Sequence, residues 1–364
     1  MKRILCILLT ITLLISLSSV ALGQETLEEF KAHKYRVAYI LNTVMTDIFR
    51  MAFDAAEETA HALGLEIDFY VTNQDNVTFQ NYVETCANQG YDAMFLSHGN
   101  QESAYDLVNM LVERGIKVVT FDTQFVNESG DKVKIDGVTQ MFQDDAGMAD
   151  MLLDYICNTL YPEKVKAGEK VNILKIWRGP GISPFDRRQT AYLRYEEQGL
   201  INTLEVLGPS DPANSEASMN TVVNSVLPKY PAGSIDAIWC CYDAYCRGAY
   251  TAMLESKRTD IPIVTVDISN QDINFMRDGN ECWKACATVH FATVGEQGIR
   301  MVAMKLYGDE VEDWYELTPS LVTIDAIRDH DDVNVLNLGN YVEGYGVNND
   351  HILDWMSPAI VPVK

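Results

Sequence analysis

The residues best suited to chemistry in this chain stand where short apolar runs stop. Asp47 and Phe49 follow the run Arg36–Leu41, and Asp122 closes Lys117-Val-Val-Thr-Phe-Asp-Thr123. Arg188 comes after the loop that follows Trp177, while Tyr242 and Asp243 follow a run ending in Cys240-Cys241. Asp267 closes Pro262-Ile-Val-Thr-Val-Asp-Ile268, an echo of the Asp122 stretch, and His290 lies near the end of Lys284–Phe291. This mixture suits a polyol. Carboxylates accept from vicinal hydroxyls, Arg donates to ring or hydroxyl oxygens, and aromatic rings cover the apolar faces of a sugar. Hydrogen bonds to charged groups are worth ~1.5–3 kcal/mol each, so three or four with stacking reach micromolar binding, about −8 kcal/mol. Plainer roles compete for each residue. Asp243 fits a helix cap, Phe49 fits a core position, and Arg188 has Asp186 nearby as a surface partner.

The motifs of known catalytic sites are missing. The sequence has no Gly-x-Ser-x-Gly elbow, no phosphate-binding GxxxxGK[ST] loop, no HExxH and no GxGxxG after a strand. No catalytic residue or cofactor is therefore assigned. Asp329-His-Asp-Asp332 lacks the alternating ligands and turn glycine of a calcium loop. Cys240, Cys241, Cys246, Cys282 and Cys286 do not repeat a CxxC pair, so buried thiols are expected rather than a metal site. With 52 acidic and 28 basic residues the formal net charge is −24. Such a surface argues against a nucleic-acid partner, which needs clustered Lys and Arg.

The elements that must carry these residues alternate. Runs at 36–41, 66–71, 93–96 and 117–123 predict strands, separated by helical spacings such as Phe49, Ala52, Phe53, Ala56, Ala60 and Leu63. The alternation breaks at Phe125–Val138, where Asn127-Glu-Ser-Gly-Asp131 predicts a hairpin or excursion. It resumes with strands at 171–177, 204–207, 235–239, 262–268 and 284–291. Strands alternating with helices predict parallel sheets with right-handed crossovers, and ligands bind outside the carboxyl ends of such strands. The expected fold is α/β: two similar lobes presenting Asp122 and Asp267 to a shared cleft. Leu321–Ile324 predicts one more crossing, and the tail beyond it has no clear rhythm.

The N-terminus has a basic start, an apolar stretch from Ile4 to Leu17 and small residues at Ala21 and Gly23. That is the order of a cleavable secretory signal peptide over residues 1–23.

On these stretches the chain resembles the periplasmic sugar-binding proteins of ABC importers, of the ribose- and galactose-binding type. The carriers are Val37-Ala-Tyr-Ile-Leu-Asn-Thr43 with Phe49, Val118-Val-Thr-Phe-Asp122, Arg188-Gln-Thr-Ala-Tyr192, Asp236-Ala-Ile-Trp-Cys-Cys-Tyr-Asp243 with Gly248-Ala249, and Ile263-Val-Thr-Val-Asp267. The resemblance implies two Rossmann-like lobes, a three-segment hinge, closure over one ligand and docking on a membrane permease. It places sugar contacts on Phe49, Asp122, Arg188, Tyr242 and Asp267, with His290 or a neighbour. It also implies a periplasmic monomer, with a first lobe of residues 24–141 and 291–318 and a second of 142–290 and 319–364. The chain departs from the family pattern at Met45-Thr-Asp-Ile-Phe49, Thr123 and Tyr242, so no ribose-specific site is implied. A receptor for a furanose-like signal or a nucleoside, docking on a sensor kinase or chemoreceptor, is the alternative role. Two Asp and one Arg would also serve an amino acid, whereas a phosphate would meet repelling carboxylates.

Overall fold

The computed structural model describes residues 25–362; the expected signal peptide lies outside them. Two six-stranded sheets organise the chain. The first holds β1 (Arg36–Leu41), β2 (Glu66–Val71), β3 (Ala93–Ser97), β4 (Lys117–Phe121), β5 (Val138–Gln143) and β11 (Trp314–Leu317). The second holds β6 (Val171–Ile176), β7 (Ile201–Leu207), β8 (Ala237–Cys240), β9 (Ile263–Val266), β10 (Trp283–Thr288) and β12 (Ser320–Thr323). The spatial orders are β11-β5-β4-β3-β1-β2 and β12-β10-β9-β8-β6-β7. In each sheet the first strand has its successor on one side and the third strand on the other. The order therefore reverses between β1 and β3, and between β6 and β8, which are the switch points where such sheets bind ligands. All pairings are parallel except β12, which runs antiparallel to β10.

The central strands read as apolar runs because both faces are covered. All five residues of β3 are buried, as are all four of β8 and of β9. The Asp47–Leu63 helix buries the expected stripe of Phe49, Ala52, Phe53, Ala56, Ala60 and Leu63, and it stops at Gly64, whose φ of 74° closes the last turn. It crosses the Phe291–Tyr307 helix at Gly295. A Cβ there would lie 2.0 Å from the carbonyl oxygen of Ala52, so only glycine allows this approach. The crossing brings Phe291 against Phe49, ring centroids 5.4 Å apart.

Two strands depart from the sequence reading. Val138–Gln143 belongs to the first sheet instead of ending an excursion, and only a single Val126–Lys132 bridge remains of the expected hairpin. The segment is fully buried despite Thr139, Gln140 and Gln143. Two of its polar groups find main-chain partners: Thr139 Oγ1 donates to Glu312 O at 2.6 Å, and Gln140 Nε2 to Thr123 O at 2.9 Å. The second is β11, which the sequence reading does not predict: Glu316 interrupts its apolar residues.

The chain passes between the sheets after β5, after β10 and between β11 and β12, the three connections of the expected hinge. The tail adds a fourth passage. Val333, Val335, Leu338, Val342 and Tyr345 pack into the core of the second sheet, but Trp355, Met356 and Ile360 pack into that of the first. Trp355 stacks on Tyr307 at 4.3 Å and meets Phe30 at 4.9 Å. The tail, expected with the second lobe but without a clear rhythm of its own, thus packs on both cores. Among the described residues no helix is long and apolar enough to cross a membrane.

Candidate functional site

Three strands end in the same way. His98 follows β3, Asp122 follows β4 and Asp267 follows β9, and their φ angles are 59°, 47° and 70°. Left-handed backbone is uncommon outside glycine, with Asn, Asp and His the usual exceptions. Each residue is held there by the adjacent strand. The amide of His98 donates to Phe121 O, that of Asp122 to Met141 O and that of Asp267 to Ala287 O, each at 2.9 Å. Strained, pinned residues at strand ends are a pattern of ligand sites.

The Ser183–Glu197 helix supplies two guanidinium groups, and Asp145 ties them together. Arg187 Nε and Nη2 donate to Asp145 Oδ2 at 2.8 and 2.6 Å, and Arg188 Nε donates to Oδ1 at 2.8 Å. Asp145 opens the Asp145–Asp154 helix just past the first crossing, with its side chain fully buried. Burial raises its carboxyl pKa, and Arg188 and Arg187 pull it back. Arg188 also donates to Cys241 O and stands 3.5 Å from Asp267 Oδ2. Burial alone would lower the pKa of Arg188, but Asp145 and Asp267 outweigh it and keep the side chain charged. Arg187 reaches the first sheet: Nη2 donates to Asp122 Oδ1 at 3.0 Å, and the guanidinium lies over the Phe142 ring at 4.4 Å.

The remaining walls follow from these. His98 Nε2 is 3.7 Å from Asp122 Oδ2, beyond hydrogen-bond reach, and Phe49 meets the His98 ring edge-on at 5.2 Å. Burial lowers the His98 pKa, with Asp122 opposing, so the ring is neutral at pH 7. The Asp267 carboxyl is pushed up to about 7, chiefly by burial, with Arg188 opposing and Asp243, Asp145 and Asp122 adding to the rise. Tyr242 packs beside Phe185 and Tyr245 at ring distances of 5.8 and 5.3 Å.

Of the eight expected site residues, the structure gathers Phe49, Asp122, Arg188 and Asp267 around this network. Tyr242 and Asp243 adjoin it at the end of β8, where burial chiefly, and the Asp243 charge in addition, raise the pKa of Asp267 and Tyr242 alike. Asp243 is engaged elsewhere: its Oδ2 accepts from Arg247 Nη1 at 2.7 Å, and Arg247 also pairs with Asp272. Asp47 stands apart, exposed in a shallow depression with Arg50, Asp54, Glu58 and Glu296. His290 also stands apart. It caps the Phe291–Tyr307 helix, its ring meets Tyr345 at 4.9 Å, and it lines a 340 Å³ cavity with the crossing residues Thr318 and Pro319 and with Glu343 and Asn348 of the tail. Arg188 does not pair with Asp186, which instead accepts from the amide of Gly181.

The sequence reading missed His98, Asp145 and Arg187. His98 could have been found by the rule that found Asp122, since it directly follows a buried strand. Asp145 carried no such signal, because an acid in the first turn of a helix is ordinary.

The site supplies fixed donors, carboxylate acceptors and apolar rings. Among the described residues no group of three His, Cys, Asp or Glu side chains could hold a metal ion.

A family model described as a periplasmic binding protein domain matches residues 37–310. Among solved structures, a sugar ABC transporter protein from Yersinia enterocolitica is 32% identical, covering 90% of this chain and 94% of its own, with a TM-score of 0.71. A 5-methylthioribose transporter solute-binding protein from Thermotoga lettingae is 20% identical over 90% of this chain and 96% of its own, also with a TM-score of 0.71. An ABC transporter solute-binding protein from Actinobacillus succinogenes with bound D-allose is 15% identical over 82% and 100%, with a TM-score of 0.67. The last two likenesses show the fold.

Proposed function

The chain belongs to the periplasmic binding protein family, and on that premise we propose that it captures a neutral sugar or sugar-like polyol between its lobes and delivers it to an ABC importer. The observation that carries this reading is the contact of Asp122 from the first lobe with Arg187 of the second, where Asp145 ties Arg187 to Arg188 and Arg188 stands beside Asp267. The D-allose in the Actinobacillus succinogenes structure agrees with it. Carboxylates at both walls accept from hydroxyls, while Phe49 and Tyr242 offer ring faces or edges to apolar carbons. An anion such as phosphate would meet Asp122, Asp145 and Asp267 and be repelled.

The protein acts outside the cytoplasm, after removal of residues 1–23, as a monomer that docks on a membrane permease and carries out no catalysis. The first lobe comprises the chain up to Gln143, residues 291–317 and the tail from Trp355. The second comprises what lies between.

A thermal-shift screen of the mature protein against sugars, polyols, nucleosides and amino acids tests this. A ligand at hundredfold excess over its Kd stabilises by about 2.7 kcal/mol. A screen in which amino acids alone raise the melting temperature would overturn the polyol reading.

A further inference from the structure

One cleft residue has partners in both lobes. Arg187 is anchored in the second lobe by Asp145 Oδ2 and by Ser183 Oγ, which accepts from Nη1 at 2.8 Å. Neither contact needs the first sheet, since both partners start helices that pack on the second. The same guanidinium donates to Asp122 Oδ1 at 3.0 Å, and Asp122 ends β4 of the first sheet. The two side chains are 13% and 10% exposed.

We propose that Arg187 is an interlobe latch, pairing with Asp122 only when the cleft is shut and holding it shut before a ligand arrives. When the lobes part, Arg187 keeps Asp145 and stays compensated, and Asp122 turns to water. The Arg187–Asp122 attraction therefore acts on the open–closed equilibrium and not on folding. Because the pair is largely shielded, salt screens it less than a surface pair. A lysine could not do this, since the planar fork serves two carboxylates at once.

The latch also defines what the cleft accepts. Arg187 takes Oδ1 of Asp122 and leaves Oδ2 facing the neutral His98 across 3.7 Å. A ligand hydroxyl entering there donates to Oδ2 without breaking the ion pair. An ammonium group would instead compete with Arg187 for Asp122. A neutral ligand with a hydroxyl donor is thus selected, and binding gains because the competent state is already populated. This last step rests on the polyol reading; the latch itself does not.

The latch is tested without any ligand. Every described cysteine is buried, so cysteines introduced at the exposed positions Val77 and Val206, one in each lobe, can be labelled with a dye pair. In the ligand-free protein, Arg187→Met shifts the closed-to-open ratio about tenfold toward open. Asp122→Asn does the same from the other lobe, and combining the two opens the cleft no further. Arg187→Lys behaves like Arg187→Met. Circular dichroism confirms that each variant is folded, and Asp122→Asn serves if Arg187→Met is not. Distance distributions that match the parent in Asp122→Asn, and in Arg187→Met where it folds, would overturn the proposal. The result stands whether or not any polyol shifts the melting temperature, so the two readings fail separately.

Discussion

Arg187 Nη2 lies 3.0 Å from Asp122 Oδ1, although Asp122 follows a strand of the first sheet and Arg187 lies on a helix packed against the second. One oxygen of the carboxylate read as a hydroxyl acceptor is therefore already taken by the protein itself. The other faces His98 Nε2 across 3.7 Å. On the proposed function, that second oxygen is the one a ligand hydroxyl meets.

Asp122→Ala and Asp267→Ala each weaken binding while leaving the protein folded. Losing a hydrogen bond to a charged group costs ~1.5–3 kcal/mol, or about ten- to hundredfold in Kd. Calorimetric titration with the ligand found in the screen measures this. Unchanged affinity in both would leave the residues with a purely structural role.

Binding and stability respond oppositely to pH around Asp267. Its carboxyl rises from 3.8 to about 7 in the folded protein, so the folded state holds the proton more tightly than the unfolded chain. Its contribution to stability is therefore largest below pH 3.8 and is lost as pH rises through 7. The ionised form accepts from hydroxyls, so affinity rises between pH 6 and 8. Asp267→Asn removes both slopes, and its melting temperature exceeds the parent's more at pH 8 than at pH 5. A flat affinity profile in the parent protein would contradict this.

Asp145→Ala is more damaging than Asp122→Ala. Asp145 holds Arg188, only 2% exposed, at the centre of the second lobe, and its loss leaves a buried charge short of its main partner. Breaking a buried pair costs ~3–5 kcal/mol. Urea unfolding of the two variants should separate them by more than ~1 kcal/mol, because Asp122, 10% exposed against 0% for Asp145, belongs to a pair formed at the cleft.

Gly295→Ala loosens the aromatic wall. The new methyl would meet main-chain atoms, Ala52 O at 2.0 Å and Ala56 N at 2.8 Å, so the two helices must separate. Overpacking of this kind costs ~1–3 kcal/mol. It draws Phe291 from Phe49 and Phe49 from His98, so both melting temperature and ligand affinity fall. A variant as stable as the parent would show that the crossing is not tight.

The thiols are silent in the native protein. Cys86, Cys157, Cys240, Cys241, Cys246, Cys282 and Cys286 are buried and unpaired. Burial raises the pKa of Cys157 to about 11 and of Cys241 and Cys282 to about 12. Thiolate reagents at pH 8 therefore label the mature chain slowly, and label all of these cysteines once it is unfolded. A lower count after unfolding would reveal a disulfide.

The sequence by itself determined the alternation of strands and helices, because buried parallel strands are apolar on both faces and helices carry a stripe. It also determined that Asp122 and Asp267 stop such strands, since a charge cannot continue into the core. The tertiary structure decided the rest. Val138–Gln143 becomes a strand by pairing with β4 and β11, and Glu312 and Thr123 accept from Thr139 and Gln140 there. Trp355 crosses back only because Tyr307 and Phe30 offer a ring to stack on. His290 and Asp47 share the strand-end or helix-start position of true cleft residues, and their orientation sends them elsewhere. Arg187 and Arg188 are neighbours in sequence, and no local signal tells which one crosses the cleft. That depends on where the second sheet sets its helix against Asp122, a distance that exists only once both lobes have folded.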